Sequence, residues 1–217
     1  MIKVETFIFN SFAENTYIVF DNLTKETFIV DPGCNDKREE KELDDFISSN
    51  ELLIKFVFNT HGHIDHILGN QYIKRKFSPL FYYPQNELHF FDLMEQQAAI
   101  FGVSYNKPDK PNYFFDESIE LYIGNYLIKF ISTPGHSPDE FCIYLPNENI
   151  CFTGDVLFKE SIGRTDLWGG DYNTLLNSIS NKIYTLPPNT IIYPGHGDKT
   201  SIKYETEFNP FIKKLIN

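Results

Sequence analysis

The stretch Thr60-His61-Gly62-His63-Ile64-Asp65-His66 sets three imidazoles and one carboxylate within seven residues. It comes directly after residues 54–59, an apolar and aromatic run that predicts a buried strand. Imidazole and carboxylate groups are ligands that suit zinc, iron and manganese. Because ligand sites in α/β sheets form where strands end, the stretch predicts a metal site at the end of this strand.

Three further loops share this setting, since each follows a predicted strand and carries a histidine or an aspartate. They are Thr133-Pro134-Gly135-His136, Phe152-Thr153-Gly154-Asp155 and Tyr193-Pro194-Gly195-His196-Gly197. Together the four loops offer seven candidate ligands: His61, His63, Asp65, His66, His136, Asp155 and His196. A structural zinc site closes with four ligands. Seven ligands that include a carboxylate able to bridge predict two ions with positions open to water and substrate.

The rest of the chain alternates predicted strands and helices, which indicates an α/β fold with sheets covered by helices in layers. Strands are predicted at residues 2–9, 16–20, 27–30, 54–59, 121–131, 141–145, 150–153 and 190–193. Helices are predicted at residues 37–49 and 84–100, after a cap at Asp171 with Leu175, Leu176, Ile179 and Ile183 on one face, and from near Ser201. The length of 217 residues suits one domain, 1–217.

Two segments stand apart from this pattern. His89, the sixth histidine, falls within the predicted helix 84–100 and is interpreted as an ordinary helix residue. Residues 102–113, which include Pro108 and Pro111, predict a long surface loop that is either a flap over the site or inert.

Composition limits the partners and the compartment. The chain has 30 acidic and 19 basic residues and a formal charge of −11, which argues against nucleic acid and against an anionic membrane surface. The N-terminus places charges where a signal peptide needs an apolar run, and no apolar stretch approaches the roughly 20 residues of a membrane span. Cys34, Cys142 and Cys151 are an odd number without CxxC spacing, so reduced thiols and the cytoplasm are predicted, with Cys142 and Cys151 in packing roles.

The T-H-x-H-x-D-H stretch resembles the signature of the metallo-β-lactamase superfamily, and the resemblance extends from the N-terminal strands and Asp31-Pro32-Gly33 to Pro194-Gly195-His196-Gly197. It implies an α/β fold, a four-layer αββα sandwich of two related halves with a dinuclear metal site at one edge. It also implies that His61, His63 and His136 hold the first ion and that Asp65, His66 and His196 hold the second. Asp155 would bridge both ions. Asp31 would orient a ligand histidine, the alternative being a turn residue before proline.

Two motifs narrow the branch of the superfamily. Gly154-Asp155-Val156-Leu157-Phe158 and Gly163-Arg164-Thr165-Asp166 resemble the glyoxalase II-like branch of hydroxyacylglutathione hydrolases. A bridging Asp155 argues against the β-lactamases themselves, and His63 argues against the flavodiiron branch, which has Glu there. The iron-dependent persulfide dioxygenases share a G-R-T-D run and are the competing branch. Because the chain ends soon after His196, we expect the short single-domain form, without a helical domain that holds glutathione.

The resemblance implies hydrolysis of a small-molecule thioester to a hydroxy acid and a thiol, and we expect a monomer or a homodimer. Two divalent ions are expected, zinc first, with iron or manganese as alternatives. Asp65 would orient the metal-bound hydroxide. Arg164, Lys159 and Lys199 form either a cationic rim for a carboxylated substrate or ordinary solvated surface charge, and Trp168 either walls the site or packs. The alternatives are a mononuclear iron persulfide dioxygenase, built from His61, His63, His136 and Asp155, and a non-catalytic binding module stabilised by metal.

Overall fold

Two units of sheet and helix carry the predicted ligand loops in the computed structural model, which describes residues 1–211. The first unit comprises Met1–Phe114 and Tyr122–Tyr126. The second comprises Phe115–Leu121 and the described residues from Leu127 onward. The loop at residues 60–66 belongs to the first unit, and His136, Asp155 and His196 belong to the second.

The first unit is built on a six-stranded sheet whose strand order follows the chain. Its strands are β1 (Ile2–Phe9), β2 (Glu14–Asp21), β3 (Glu26–Val30), β4 (Leu53–Phe58), β5 (Leu80–Tyr83) and β6 (Tyr113–Phe114). The pairs β1–β2 and β2–β3 are antiparallel, and the pairs from β3 to β6 are parallel. Its helices are α1 (Lys37–Ser49), α2 (Ile64–Ile67), α3 (Asn70–Phe77) and α4 (His89–Phe101), with a 3₁₀ turn at Gln85–Glu87 before α4.

Parallel pairing in the first unit brings two functional segments to one edge of its sheet. Val30 at the end of β3 lies opposite Phe58 at the end of β4. The N–H of Asp31 continues this pairing, because it donates to the carbonyl of Phe58 at 2.9 Å. Asp31 and the loop after β4 therefore leave the sheet side by side. The apolar faces of β2, β4 and α1 are buried in the core beneath them.

The second unit also contains a six-stranded sheet, in the order β14-β13-β10-β9-β8-β7, apart from those residues of β7 and β8 that fall within 122–126 and belong to the first unit. Its strands are β7 (Leu121–Ile123), β8 (Tyr126–Ser132), β9 (Phe141–Leu145), β10 (Ile150–Gly154), β11 (Leu157–Phe158), β12 (Ser161–Ile162), β13 (Ile191–Pro194) and β14 (Thr200–Ser201), of which β11 and β12 pair separately. Its helices are α5 (Tyr172–Asn181) and α6 (Ile202–Phe208), with a 3₁₀ turn at Ile183–Thr185. Apolar residues of the sheet and α5 form its core.

Strand direction likewise gathers the ends of three strands in the second unit. β10 and β13 are parallel, with Gly154 opposite Pro194. β8 and β10 both pair antiparallel with β9, so they run in the same direction. The loops that follow β8, β10 and β13 therefore lie at one edge of this sheet, and these loops carry His136, Asp155 and His196.

Most predicted elements are confirmed within one or two residues, and three predictions were wrong in detail. The strand predicted at 121–131 is two strands, because Gly124 adopts a φ of +55° and turns the chain between β7 and β8. Ile183 lies in the 3₁₀ turn beyond α5, although its side chain is buried as predicted. The helix predicted at 84–100 begins as a 3₁₀ turn and becomes α-helical at His89.

The predicted starts of two helices are confirmed. Asp171 and Ser201 cap α5 and α6. Residues 103–111 form neither helix nor strand. The three cysteines are free and buried, and Cys142 and Cys151 lie in the core of the second unit. Among residues 1–211, none of the helices is both long enough and apolar enough to span a membrane.

Candidate metal centre

The ligand loop of the first unit is a tight connection between β4 and α2. Asn59 closes it, because its side-chain amide donates to the carbonyl of His66 at 2.8 Å. The histidine rings gather on one side of this connection: the ring centres of His61 and His63 are 4.7 Å apart, and those of His61 and His66 are 4.2 Å apart. The closure of this loop thus places the three imidazoles close together.

Asp31 anchors this loop through both of its carboxylate oxygens. Oδ1 accepts the backbone N–H of Thr60 at 2.7 Å, and Oδ2 accepts the Thr60 hydroxyl at 2.7 Å and Nδ1 of His66 at 3.0 Å. Asp31 itself has a φ of +48°, a left-handed conformation that costs a non-glycine residue energy. The contact with His66 is the one expected of a carboxylate that orients a ligand histidine.

For neutral imidazole rings, these contacts indicate which ring nitrogen carries the proton. A carboxylate only accepts, so the Thr60 hydroxyl donates to Asp31 and must accept from Nδ1 of His61, which lies 3.0 Å away. His66 likewise donates from Nδ1 to Asp31. In both rings Nε2 is then the nitrogen with the lone pair, which is the form that binds a metal ion.

The second unit brings its three candidate ligands together around one carboxylate. Oδ2 of Asp155 lies 3.5 Å from Nε2 of His136, and Oδ1 of Asp155 lies 3.7 Å from Nε2 of His196. Nδ1 of His136 donates to the carbonyl of Arg164 at 2.7 Å, so Nε2 again holds the lone pair. Asp155 therefore presents a different oxygen to each histidine.

The distances between these ligand atoms fit shared metal ions better than direct hydrogen bonds. In addition to the two pairs that Asp155 forms in the second unit, Nε2 of His66 lies 3.6 Å from Oδ2 of Asp65 in the first unit. All three separations exceed ordinary hydrogen-bond lengths. Two ligand atoms each bound at about 2.0–2.2 Å in tetrahedral geometry lie roughly 3.3–3.6 Å apart. The donor atoms of each unit therefore fit divalent ions.

Helix α5 supports the His136 loop from behind. Gly135 has a φ of +135°, and a Cβ atom there would lie 2.2 Å from the backbone nitrogen of Leu175. The carbonyl of Gly135 accepts the N–H of Asp171 at 2.8 Å, and the carbonyl of Pro134 accepts the Ser178 hydroxyl at 2.7 Å. Only glycine allows this close approach, so the Pro-Gly-His sequence is explained by packing as well as by coordination.

Three buried glutamates beside the ligand loops were missed by the sequence reasoning. Glu14, Glu87 and Glu140 are all fully buried. One oxygen of Glu14 accepts the Thr16 hydroxyl at 2.9 Å, and Glu14 forms a compact group with Asp31 and His66. Burial raises the pKa of Glu14 well above its usual value, while His66 lowers it and Asp31 raises it further. The available signal was weak: Glu14 lies two residues before one predicted strand and Glu140 immediately before another, where acids are also common at the surface.

The three candidate substrate-binding cations each have an anionic or aromatic partner. Arg164 pairs with Asp166 through two hydrogen bonds of 2.7 and 2.8 Å, and this pairing lowers the pKa of Asp166 to about 2. Lys159 pairs with Asp198 at 3.2 Å. The Lys199 ammonium lies 5.9 Å from the centre of the Tyr193 ring. Trp168 is 62% exposed, so packing in the core does not account for it.

His89 has the surroundings of an ordinary helix residue. It is the first residue of α4, its Nδ1 lies 3.1 Å from the carbonyl of Asn86, and its ring packs against Phe90 at 4.4 Å.

A model of the metallo-beta-lactamase superfamily matches residues 11–196. Together with the fold, this match shows that the chain belongs to the metallo-β-lactamase superfamily. It is 30% identical over 213 residues to the hydroxyacylglutathione hydrolase GloC of Haemophilus influenzae, covering 97% of this chain and 98% of that protein. It is also 32% identical over 201 residues to the Bacillus subtilis protein named "Probable metallo-hydrolase YqgX", covering 91% and 92% of the two chains.

Solved structures confirm the predicted fold class. The BLEG-1 B3 metallo-beta-lactamase matches with a TM-score of 0.88 and 33% identity, covering 98% of this chain and 99% of that one. TTHA1623, crystallised in a di-iron-bound form, matches with a TM-score of 0.83 and 29% identity, covering 96% and 99%. ETHE1 from Myxococcus xanthus matches with a TM-score of 0.76 and 25% identity, covering 99% and 90%. The chain thus has the α/β fold of metallo-β-lactamases.

Proposed function

We propose that this protein is a thioester hydrolase of the glyoxalase II type that uses two divalent metal ions. Membership of a metallo-hydrolase superfamily supports an enzyme, and the similarity to a hydroxyacylglutathione hydrolase supports the substrate class. The observation that carries the proposal is the arrangement of Asp155, whose two oxygens face Nε2 of two different histidines. A carboxylate in that position is suited to bridging two ions.

The proposed ligands are divided between the two ions as the family resemblance implies. His61, His63 and His136 are assigned to the first ion, Asp65, His66 and His196 to the second, and Asp155 to both. The intra-unit pairs Asp65–His66, His136–Asp155 and Asp155–His196 have the separations of atoms that share an ion. Zinc is the first choice, and iron and manganese remain alternatives because the same ligands accept them. The di-iron form of TTHA1623 belongs to that protein.

When bound, such ions would lower the pKa of water toward neutrality and polarise a carbonyl group. The chain's own residues supply the rest. Asp31, Thr60 and the Arg164 carbonyl hold the rings of His66, His61 and His136 with Nε2 as the coordinating atom. Asp65 is assigned the task of orienting the attacking water.

A thioester suits this set of residues. Its leaving group is the thiolate of a thiol with a pKa of about 8.5, so its departure needs little help from a proton donor. An amide would require such a donor for its amine. The products are a hydroxy acid and a free thiol, and water supplies the oxygen of the acid.

We also propose that residues 1–217 act as a single catalytic domain in the cytoplasm, as a monomer or a homodimer, on a small molecule rather than on nucleic acid. The three free cysteines support a reducing compartment.

The second candidate is an iron-dependent persulfide dioxygenase. The Gly163-Arg164-Thr165-Asp166 run supports it. A single iron held by two histidines and a carboxylate would suit this reaction. The similarity to ETHE1 also supports this second candidate.

Metal analysis and three assays on the purified protein test the proposal. We expect two equivalents of metal, hydrolysis of a hydroxyacyl glutathione thioester, loss of that activity on chelation, and its return when zinc, iron or manganese is added. Oxygen uptake with glutathione persulfide and cleavage of a β-lactam are the comparison reactions. One iron with persulfide-dependent oxygen uptake and no thioester cleavage would replace the first candidate by the second.

A further inference from the structure

Two of the buried glutamates hold the backbone of the ligand loops. Glu87, in the 3₁₀ turn before α4, is fully buried, and its Oε2 accepts the N–H of Gly62 at 2.5 Å. Gly62 lies between His61 and His63. A Cβ atom at Gly62 would meet the Tyr83 hydroxyl at 2.3 Å, so the backbone of this turn is enclosed on that side as well.

Glu140 does the same in the second unit. It is fully buried, and its Oε1 accepts the N–H of Asp155 at 2.8 Å. Its own carbonyl accepts the N–H of Thr133 at 2.7 Å. Glu140 therefore connects the loop that begins at Thr133 and carries His136 to the backbone of Asp155, whose side chain faces both histidines of this unit.

The choice of a carboxylate at these positions requires an explanation beyond the need to satisfy a backbone N–H. A backbone N–H is satisfied equally well by a neutral acceptor, whereas a buried carboxylate must overcome the cost of leaving water. Hydrogen bonds to an ionised acceptor are shorter and stronger than neutral ones, so a carboxylate holds an amide more firmly. Asp31 already shows this use in the first unit, where it accepts the N–H of Thr60 beside His61.

We propose that Glu87 and Glu140 are positioning residues of the metal centre. They do not coordinate the ions. Each holds the backbone amide of a ligand loop, Gly62 between two histidines and Asp155 itself, so that the loop keeps the geometry that binds metal. This inference rests on the metal centre of the proposed function.

Substitution by methionine removes the acceptor and keeps a similar side-chain volume. For Glu87→Met and Glu140→Met we expect metal affinity to fall about 10–100-fold, the range typical of residues that support ligands. Zinc affinity is measured by competition with a chromophoric chelator, and the visible spectrum of the Co(II)-substituted protein reports the ligand geometry. Glu87→Gln and Glu140→Gln keep an amide oxygen as a weaker, neutral acceptor, so we expect an intermediate loss of affinity, about three- to tenfold, with the wild-type cobalt spectrum.

Glu205 provides a matched control. It is fully buried in the second unit, and its Oε2 accepts the backbone N–H of Glu160 at 2.9 Å, but Glu160 is not a candidate ligand. Glu205→Met should lower thermal stability without changing the zinc affinity or the cobalt spectrum. If Glu205→Met loses as much zinc affinity as Glu140→Met, the loss in Glu140→Met comes from general destabilisation, and the inference is overturned.

Two other results would also overturn it. One is a folded Glu140→Met or Glu87→Met protein, checked by circular dichroism, that binds zinc as tightly as wild type. The other is a glutamine variant whose zinc affinity falls about 10–100-fold, the loss expected for the methionine variant. This outcome decides the question even where the methionine variant fails to fold. Failure of the proposed function is a separate outcome, since it appears as a wild-type protein that does not take up two equivalents of metal.

Discussion

The two units present their candidate ligands in different ways. In the first unit, four of them lie within residues 61–66, in one loop between β4 and α2. In the second, the three ligands are separated by 19 and 41 positions in the chain and follow three different strands, β8, β10 and β13. The first set is a local motif, and the second exists only when the sheet has formed.

This difference has consequences for how each set is held. The loop of the first unit is closed on itself by Asn59 to His66, and the carboxylates of Asp31 and Glu87 anchor it from outside the loop. In the second unit the geometry depends on the pairing of β10 with β13, where the N–H of Gly195 donates to the carbonyl of Gly154 at 2.7 Å. We therefore expect the second set to be coupled more tightly to folding and to respond more strongly to changes in its support.

Loss of Asp155 is the largest effect that the comparison predicts. Asp155→Ala removes both oxygens that face His136 and His196, so the second unit keeps two histidines without the carboxylate between them. We expect less than one equivalent of bound metal and a fall in thioester turnover of about three orders of magnitude or more. Metal analysis and initial rates measure this, with circular dichroism to verify folding.

Asp198→Ala is the control for Asp155→Ala. Asp198 is an exposed carboxylate of the same unit whose partner is Lys159, and its loss should leave the metal content unchanged. A folded Asp155→Ala protein with two equivalents of metal and full activity would contradict the bridging role.

Loss of Asp31 is expected to have a smaller effect, confined to the first unit. Asp31→Ala removes the acceptor for His66 and both contacts to Thr60, so affinity should fall about 10–100-fold. Asp31→Asn keeps one acceptor oxygen and should recover part of the loss. Competition with a chromophoric chelator measures the zinc affinity of both variants. In Asp31→Ala, amide hydrogen exchange should be faster at residues 60–66 than at the ligand loops of the second unit. Equal exchange in both units would remove the distinction between a local and an assembled ligand set.

The sequence predicts the two ligand sets with different kinds of signal. His61, His63, Asp65 and His66 are recognisable from spacing alone. His136, Asp155 and His196 are recognisable because each comes shortly after an apolar strand. Strands that run in the same direction, whether adjacent or separated by one antiparallel strand, end at the same edge of the sheet. The strands themselves were predictable from apolar runs, with the exception of the turn at Gly124, where one glycine in an apolar run does not reveal whether the strand continues.

The supporting carboxylates could not be predicted in the same way. Glu87 stands in the polar sequence Gln85-Asn86-Glu87, which is typical of an exposed turn, yet it is fully buried. Its partner is the N–H of Gly62, 25 positions earlier in the chain, and no local pattern indicates that pairing. Asp31 was found only because the family resemblance marks it. Burial of an acid against a backbone amide is a property of the folded chain, and periodicity does not report it.

The helix caps give the smallest predicted difference between the units. Asp36 caps α1 of the first unit by accepting from the N–H groups of Arg38 and Glu39, and Asp171 caps α5 of the second by accepting from Thr174 at 2.7 Å. Asp36→Ala and Asp171→Ala should each lower Tm by about 2–4 °C. Because α5 packs directly behind Gly135, we expect Asp171→Ala alone to weaken zinc binding as well, about two- to threefold.

The pH dependence of Tm separates the contribution of the charged Asp171 cap from other effects of the Asp171→Ala substitution. Hydrogen bonds from Thr174 lower the pKa of Asp171 in the folded protein. The ionised Asp171 therefore stabilises the fold at pH values above the pKa of this residue in the unfolded chain. This stabilisation is lost as the pH falls through the pKa of Asp171 in the folded protein. The difference in Tm between wild type and Asp171→Ala should therefore narrow as the pH is lowered from about 5 to about 3. A difference that stays constant over that range would show that the charged cap is not its source. Equal weakening of zinc binding by Asp36→Ala would show that the assembled ligand set is no more dependent on its supporting helix than the local one.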